Sequence, residues 1–182
     1  MKVTKCEIEG VLLFDLDFYS DGRGLFLETY QTERYREFGI DVNFVQDNRS
    51  ISEKNVLRGL HYQILNPIGQ MIYVARGSIF DVGVDLRKNS PTFGHHASFE
   101  LNAEDHQQLY LPPGIAHGFY TLSEINEIHY KCTEFYYPDD EGGINWKDRD
   151  LDIPWPVINP NIKERDASFP MLRDLTSKDL PQ

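Results

Sequence analysis

The sequence lacks the features that mark secreted and membrane-spanning proteins. It contains only two cysteines, Cys6 and Cys132, and neither belongs to a CxxC pair. Two isolated thiols argue against a disulfide framework and favour a reducing compartment. No apolar run approaches the ~18 residues of a membrane helix, and acidic residues interrupt the N-terminal segment where a signal peptide needs an apolar stretch. The sequence therefore predicts a cytoplasmic protein with no membrane partner.

Positive charge is also scarce. Lys and Arg number 18 against 29 Asp and Glu, which gives a formal net charge of −11 at pH 7. Such a surface repels a phosphate backbone, so we expect no nucleic-acid partner. A small phosphorylated ligand remains compatible with this charge, because a few local arginines outweigh charges that lie beyond a screening length of about 8 Å.

Motifs of several enzyme classes are absent. The Gly-Arg-Gly segment around Arg23 has too few glycines for a P-loop or a Rossmann phosphate loop, and no Gly-x-Ser-x-Gly elbow is present. The histidines form no obvious metal-binding set either. The segment at His61 reads His-Tyr-Gln rather than His-x-His, and the adjacent His95 and His96 would point to opposite faces of a strand. We therefore expect no metal site.

The chain is rich in short β-type runs separated by turn residues. Ser78–Leu86 alternates with a period of two, with Asp81 and Val82 on opposite sides, which predicts a half-buried strand. Strands at intervals of about ten residues predict a mainly β sandwich or barrel, in one domain over residues 1–182. The other predicted strands are Gly10–Phe14, Gly24–Tyr30, Gln70–Val74, Gln108–Leu111 and Gly118–Leu122.

Helical signals are few. Thr32–Phe38 predicts a helix that is capped by Thr32 and ended by Gly39. A short helical turn is expected near Ala103–His106. The tail from Asp148 is rich in Pro, Asp and Asn, and we expect it to wrap the core as loop and short helix.

Three segments carry side chains suited to chemistry. In Phe44–Gln63, strand alternation separates Arg58 from His61, and on spacing alone His61 is better explained as a hydrogen-bonded core or surface histidine. Leu111–Phe119 has the Pro-Gly-x-x-His spacing of the second motif of the cupin barrel. The aromatic side chains of Ile128–Pro138 are suited either to packing or to stacking on a planar base.

A set of short motifs is more specific than any one segment. Between about residues 8 and 172 the chain reads, in order, DGRGLFLETY, FVQDN, NVLRGLHYQ, FDVGVDLRKNSPTFG, LPPGIAHGF, YKCTEFYYP, EGGINW and IPWP. In this order and spacing the chain resembles the dTDP-4-dehydrorhamnose 3,5-epimerase family. The resemblance implies a mainly β cupin jelly-roll (a double-stranded β-helix) with short peripheral helices, a homodimer, and activity without a metal or an organic cofactor.

The resemblance also implies a reaction. The family's substrate is a dTDP-linked 4-keto-6-deoxy sugar, whose C3 and C5 protons are both α to the carbonyl. A base removes one proton, an enolate forms, and an acid returns a proton to the opposite face. The resemblance assigns the base to His61, the carboxylate that orients it to Asp166, and the acid to Tyr130. A carboxylate fixes the imidazole tautomer, and a phenol is neutral at pH 7 and able to donate.

Binding roles follow from the same resemblance. Arg58 and Arg23 match diphosphate and sugar contacts, which suit the fork of arginine, and Tyr136 matches an aromatic side chain that stacks on thymine. The other matched positions, which line the sugar and the nucleotide in the family, are Glu28, Gln46, Asp47, Asn48, His117 and Glu141.

Two positions depart from the family pattern. Gln70 stands where the family has a lysine near the C4 oxygen of the sugar, and losing one oxyanion donor costs roughly 3–4 kcal/mol of barrier. Either another group compensates, with His117 the obvious candidate, or the enzyme is slower or acts on a different sugar. Arg165 replaces the lysine before the catalytic aspartate, which keeps the charge but alters the geometry.

These departures leave three functions open. The leading hypothesis is epimerisation at C3 and C5 of dTDP-4-keto-6-deoxy-D-glucose to dTDP-4-keto-L-rhamnose. The second is an epimerase of one centre or of another nucleotide-linked 4-keto sugar, and the third is a non-catalytic cupin that binds sugar nucleotides. A related 3,4-ketoisomerase is disfavoured, because its motif reads Arg-Gly-x-His-Ala-His whereas Tyr62 and Gln63 follow His61 here.

Overall fold

A computed structural model describes residues 1–182, and its regular structure is almost entirely β. Two helices are short, α1 (Thr32–Arg36) and α2 (Glu164–Ala167), and 3-10 turns cover Pro138–Asp140 and Leu172–Asp174. None of these helices has the length and apolarity needed to cross a membrane. The strands are β1 (Lys2–Lys5), β2 (Leu12–Asp15), β3 (Phe18–Asp21), β4 (Gly24–Leu27), β5 (Gln46–Glu53), β6 (Leu57–Gln63), β7 (Gln70–Arg76), β8 (Ser78–Asp85), β9 (His96–Asn102), β10 (Gln107–Leu111), β11 (Ile115–Thr121), β12 (Ile125–Cys132) and β13 (Glu141–Gly143).

Two antiparallel sheets form the body of the protein. A six-stranded sheet has the order β1-β2-β10-β7-β12-β5, and a five-stranded sheet has the order β13-β6-β11-β8-β9. Apolar side chains of both sheets pack in one cluster between them, among them Ile72, Leu109, Ile79 and Phe119. This is the cupin jelly-roll with short peripheral helices, so the predicted fold class is confirmed.

Strand β8 differs from its prediction as a half-buried strand. Ile79 faces the cluster between the sheets, while Val82 and Val84 pack on the other side against Leu151 and Leu180 of the C-terminal tail. The strand is therefore buried on both faces. Alternation in the sequence identifies the two faces of β8, but it does not show that both are buried. The residues that cover the second face lie about 70 to 100 positions further along the chain.

The N-cap of helix α1 lies one residue before the predicted one. Gln31, and not Thr32, is the N-cap, and its side chain accepts a hydrogen bond from the Arg34 backbone N–H. The helix ends at Arg36, followed by Gly39 with a left-handed φ of 90°. The only buried side chain of the helix, Tyr35, packs on the outer face of the six-stranded sheet.

The expected helical turn at Ala103–His106 is a non-helical turn. The side-chain oxygen of Asn102 accepts hydrogen bonds from the backbone N–H groups of Glu104 and Asp105, both at 2.9 Å. This local side-chain bonding replaces the bonds that a helix would make. The predicted tail is confirmed, because it runs as loop, α2 and one 3-10 turn over the five-stranded sheet.

The hairpin of β3 and β4 pairs with neither main sheet. It carries apolar side chains that are exposed in this chain, including Phe18, Tyr19 and Phe26, the last at 69%. The predicted strand Gly24–Tyr30 ends here at Leu27. The hairpin is therefore an apolar projection that the rest of its own chain does not cover.

A bulge in β6 changes the faces that alternation predicts. His61 pairs with His117 and Arg58 pairs with Phe119, so three steps on β6 lie opposite two steps on β11. The extra residue brings Arg58 and His61 to the same cavity, whereas regular alternation would place them on opposite faces. Gly59 lies in the bulge with a φ of 115°. A Cβ atom there would lie 2.5 Å from Gly118 Cα and 2.6 Å from the His117 carbonyl oxygen.

We predict that Gly59→Ala lowers the free energy of unfolding by about 3 kcal/mol or more, because the backbone is left-handed and the two strands leave no room for a methyl group. Gly22→Ala is the matched control, since a Cβ atom there meets nothing within 4 Å and the φ angle is ordinary. Its change should stay within about 0.5 kcal/mol. Urea unfolding of both variants measures the difference, and equal midpoints would contradict the role of the bulge.

Candidate active site

A cavity of about 520 Å³ opens between the two sheets. Strands β5, β7 and β12 line it on one side, strands β6 and β11 line it on the other, and residues 161–166 complete its wall. The predicted site residues that line it are Gln46, Asn48, Arg58, His61, Gln70, His117, Tyr130, Tyr136, Glu141, Arg165 and Asp166. Positions that lie over 100 residues apart in the sequence thus meet in one concave site.

The His61 ring is held by a buried carboxylate. Its Nε2 atom lies 3.0 Å from Asp166 Oδ2, and the Asp166 side chain is only 2% exposed. Burial disfavours the charged carboxylate, but the hydrogen bonds from His61, the Gly59 backbone N–H and Arg165 outweigh it, so the pKa of Asp166 lies below its ordinary value. An ionised Asp166 accepts the Nε2 proton. The other ring nitrogen, Nδ1, is then left unprotonated and able to act as a base.

A second carboxylate lies near the free nitrogen of His61. The Nδ1 atom is 3.8 Å from Glu141 Oε1, beyond hydrogen-bond distance. Arg165 joins the two carboxylates, since its Nε atom lies 3.1 Å from Asp166 Oδ1 and its Nη1 atom contacts Glu141 Oε2. The cation therefore offsets the repulsion between two acidic groups that both face the imidazole.

His117 forms a second histidine–carboxylate pair. Its Nε2 atom lies 2.9 Å and 3.1 Å from the two oxygens of Asp81, which is fully buried on β8. Sequence reasoning missed Asp81. The signal was its place on the same side of β8 as Ile79, because an acidic residue inside an apolar strand needs a partner. Two imidazoles of the cavity thus have one nitrogen each fixed by a carboxylate.

Tyr130 stands on β12, across the cavity from the strand that carries His61. Burial is the main cause that raises the pKa of its phenol above the ordinary value, with Cys132 and Glu141 adding to it and Arg58 opposing it. The phenol therefore stays protonated at neutral pH. Cys132 also lines the cavity, and burial raises the pKa of its thiol to about 11, so it is a poor nucleophile.

Two further polar groups of the cavity, Arg58 and Gln70, have no charged partner. Arg58 donates two hydrogen bonds to the neutral Ser52 hydroxyl, at 3.1 and 3.2 Å, and has no carboxylate partner. The Oε1 atom of Gln70 is buried and has no hydrogen-bond partner. These groups are placed to bind a polar ligand, because a buried polar atom left unpaired costs free energy.

The rim of the cavity combines an aromatic ring with this charge network. The Tyr136 hydroxyl donates to Glu141 Oε2 at 3.1 Å, and the Tyr136 backbone N–H donates to Gln46 Oε1 at 3.1 Å. Tyr136 is partly exposed at 46%, so one face of the ring is free to stack on a planar group.

Three predicted binding residues lie outside the cavity of their own chain. Asp47 pairs with Lys131 on the outer face of β5, because alternation sends it opposite to its neighbours Gln46 and Asn48. Arg23, with a side chain 92% exposed, pairs with Asp21 at the tip of the β3–β4 hairpin. Glu28 follows β4 and pairs with Arg34 at 2.9 Å. Within one chain, none of the three lines the cavity.

Asn161 and Lys163 are among the lining residues that sequence reasoning missed. Both precede Asp166 in an extended segment that runs beside β6. Asn161 bridges Val56, and its carbonyl oxygen accepts a hydrogen bond from the Leu57 backbone N–H at 3.0 Å. Their closeness in sequence to Asp166 was the one signal that they lie near the cavity. The bridge beside β6 is needed to show which of their side chains face it.

Comparison with known proteins identifies the family of this chain. The family model described as dTDP-4-dehydrorhamnose 3,5-epimerase matches residues 5–174. This chain belongs to that family. The dTDP-4-dehydrorhamnose 3,5-epimerase of Salmonella typhimurium is 46% identical to it over 175 residues, which cover 94% of this chain and 96% of the relative. The predicted resemblance and the predicted class of enzyme, an epimerase, are therefore confirmed.

Two solved structures of epimerases are similar to this chain. RmlC from Legionella pneumophila, in complex with dTDP-4-keto-L-rhamnose, is 40% identical, has a TM-score of 0.96, and is matched over 100% of this chain and 97% of its own. ChmJ from Streptomyces bikiniensis, a 3'-monoepimerase in complex with dTDP-quinovose, is 34% identical with a TM-score of 0.87, over 92% of this chain and 86% of its own. A 3,5-epimerase and a 3'-monoepimerase therefore share the fold of this chain.

We predict that Asp166→Asn lowers the free energy of unfolding at pH 7 by about 1–3 kcal/mol, because the amide cannot hold His61 and Arg165 as a carboxylate does. A carboxylate with a lowered pKa stabilises the fold above its unfolded pKa of about 3.9, and this stability is lost as the pH falls through the lower folded value. The gap between wild type and variant should therefore shrink below about pH 4.

The control for this measurement is Asp47→Asn. Asp47 also has an ion-pair partner, but its side chain is exposed, so its removal should change the free energy of unfolding by less than about 1 kcal/mol. Urea unfolding from pH 3 to pH 7 compares the two variants. Equal effects of both substitutions at pH 7 would contradict the importance of the buried carboxylate.

Proposed function

We propose that this chain epimerises C3 and C5 of dTDP-4-keto-6-deoxy-D-glucose and produces dTDP-4-keto-L-rhamnose. One observation carries the proposal: a carboxylate-held imidazole and a protonated phenol, His61 and Tyr130, face one cavity from opposite sheets. Family membership supports the reaction class.

The opposed placement supplies the stereochemistry. The Nδ1 atom of His61 removes a proton α to the C4 carbonyl, while Asp166 stabilises the imidazolium that forms. Tyr130 returns a proton from the other side of the cavity. Because removal and return occur on opposite faces of the enolate carbon, the configuration at that carbon inverts.

The negative charge that develops on the C4 oxygen needs donors. We assign these to the side-chain N–H groups of Gln70 and to the imidazole of His117, whose Nε2 atom is held by Asp81. Gln70 provides a neutral donor where the family has a lysine. A single oxyanion donor is worth roughly 3–4 kcal/mol of barrier, so the paired His117 is the main compensating group.

The nucleotide is bound by the remaining groups of the cavity. Arg58 is free of carboxylates and contacts the diphosphate, and Tyr136 stacks on the thymine base. Gln46, Asn48 and Glu141 complete the polar contacts, and Arg165 keeps Glu141 and Asp166 in place. The ligand seen in the relative from Legionella pneumophila supports this class of ligand.

The positions of Arg23 and Glu28 support a homodimer. Both residues lie at or beside the β3–β4 hairpin, whose exposed aromatic side chains need a cover that their own chain does not give. A second copy of the chain fits both needs, since its cavity lacks the contacts assigned to Arg23 and Glu28. We propose that the hairpin reaches across to the partner, in a metal-free cytoplasmic enzyme of one domain.

Gln70 favours a second candidate, an epimerase of a single centre or of another nucleotide-linked sugar. A weaker oxyanion donor slows enolate formation, and the 3'-monoepimerase of Streptomyces bikiniensis shows that the fold accommodates such a reaction. A non-catalytic cupin that binds sugar nucleotides is the third alternative, and it requires no proton transfer at all.

We predict that the purified, chelator-treated chain incorporates solvent deuterium at both C3 and C5 of dTDP-4-keto-6-deoxy-D-glucose in D₂O, as read by proton NMR. His61→Asn should reduce this exchange at least about a hundredfold, because the general base is lost. Tyr130→Phe should still exchange, since His61 returns the deuteron to the face it came from, but without inversion.

The control is Tyr110→Phe, a phenol buried outside the cavity, which should keep wild-type turnover. Exchange at one carbon alone would establish the single-centre alternative. Tight binding of the sugar nucleotide without exchange would establish the binding protein. Unimpaired turnover by His61→Asn would contradict the assignment of the base.

We predict that two inactive variants, Arg23→Glu and His61→Asn, regain activity when they are unfolded and refolded together. If Arg23 serves the partner's cavity, each hybrid dimer has one intact site, and an equal mixture recovers about a quarter of wild-type activity. Mixing His61→Asn with Tyr130→Phe is the control. Both defects then fall in cavities of their own chains, and no hybrid has an intact site. Failure of the first mixture would place Arg23 outside the partner's site.

A further inference from the structure

The charges of the cavity differ from those of the whole chain. The lining residues include three basic side chains, Arg58, Lys163 and Arg165, and two carboxylates, Glu141 and Asp166. Arg165 pairs with both carboxylates. Arg58 and Lys163 therefore remain as cations without a carboxylate within 4 Å, in a chain whose formal net charge is −11.

Lys163 is held at the cavity by its neighbours on both sides. Ile162 packs into a core cluster with Leu57 and Trp146, while the flanking Asn161 and Lys163 line the cavity, as expected for an extended segment. Three residues later, Asp166 accepts the hydrogen bond from the Gly59 backbone N–H. The backbone of Lys163 is thereby fixed between two attachments to β6.

These attachments define where Lys163 lies along β6. Asn161 is bonded at Leu57 and Asp166 is bonded at Gly59 and His61, so the segment follows β6 in the same direction. Lys163 falls between these points, beside the part of the strand that carries Arg58. The guanidinium of Arg58, held by Ser52, and the ammonium group of Lys163 thus border the same part of the cavity wall.

We propose that Lys163 is a specificity-determining residue that binds the diphosphate of the nucleotide together with Arg58. The inference rests on the proposed function for the identity of the ligand. Arg58 makes directed hydrogen bonds to phosphate oxygens, and Lys163 adds a point charge on a flexible stem. Two unpaired cations match the two negative charges of a nucleoside diphosphate sugar, whereas a nucleoside without phosphate gains nothing from either.

The test compares the binding of dTDP and thymidine to the full chain by calorimetry at low salt. Lys163→Met keeps the length of the side chain and removes its charge, and it should weaken dTDP about five- to tenfold with thymidine unchanged. Lys163→Arg should restore dTDP binding to near the wild-type value. Lys178→Met, a lysine in the exposed tail outside the cavity, should bind both ligands as wild type does.

Turnover gives a second measurement. Because the diphosphate is bound equally in the ground state and the transition state, Lys163→Met should raise KM with kcat unchanged. A fall in kcat at constant KM would overturn the proposal, since it would place the ammonium group at the enolate. Unchanged dTDP binding, or equal loss of dTDP and thymidine, would overturn it while leaving the proposed function intact. Absence of dTDP binding by the wild-type chain would overturn both.

Discussion

The close approach of β6 and β11 at Gly59 and Gly118 is the constraint on which the site depends. Three steps along one strand lie opposite two along the other, and only residues without a side chain allow the two backbones to approach so closely. This bulge turns Arg58 and His61 to one side. It also presents the Gly59 N–H to Asp166, so the geometry of the strand and the orientation of the imidazole have a common origin.

Electrostatic design follows from that arrangement. The chain is acidic, but the carboxylates at the cavity are paired with groups of the same chain, which leaves the cavity suited to an anionic ligand. Asp166 pairs with His61 and Asp81 pairs with His117. Arg165 pairs with Glu141 at the rim. The two histidines keep one free nitrogen each. Two oriented imidazoles can therefore lie in one small cavity, because each has its own carboxylate partner and leaves its other ring nitrogen to a ligand.

Much of the fold and part of the site follow from the sequence. Alternation located β8, and the ordered motifs led to the family, to the jelly-roll and to most of the cavity-lining residues. What failed shares a physical cause: a period of two describes a regular strand in isolation. Regular alternation cannot describe a bulge, so it does not bring Arg58 and His61 to one side. It also predicts a half-buried β8, because the residues that cover the second face are distant in sequence. Nor does it show that Asp81 contacts His117 on a neighbouring strand. Arg23 and Glu28 lie outside the cavity because their position depends on a hairpin that leaves the body of the chain.

The tail that covers β8 also has a consequence for synthesis. Both sheets are encoded before residue 144, yet the carboxylate that holds His61 lies at residue 166, and the tail that carries it packs through Leu151 and Leu180. During synthesis the residues of both sheets are therefore made before Leu151, Asp166 and Leu180, so β8 lacks its cover and His61 lacks its buried carboxylate until those residues have been added. Loose packing of Leu151 or Leu180 would therefore disturb the orientation of His61, although neither leucine lines the cavity.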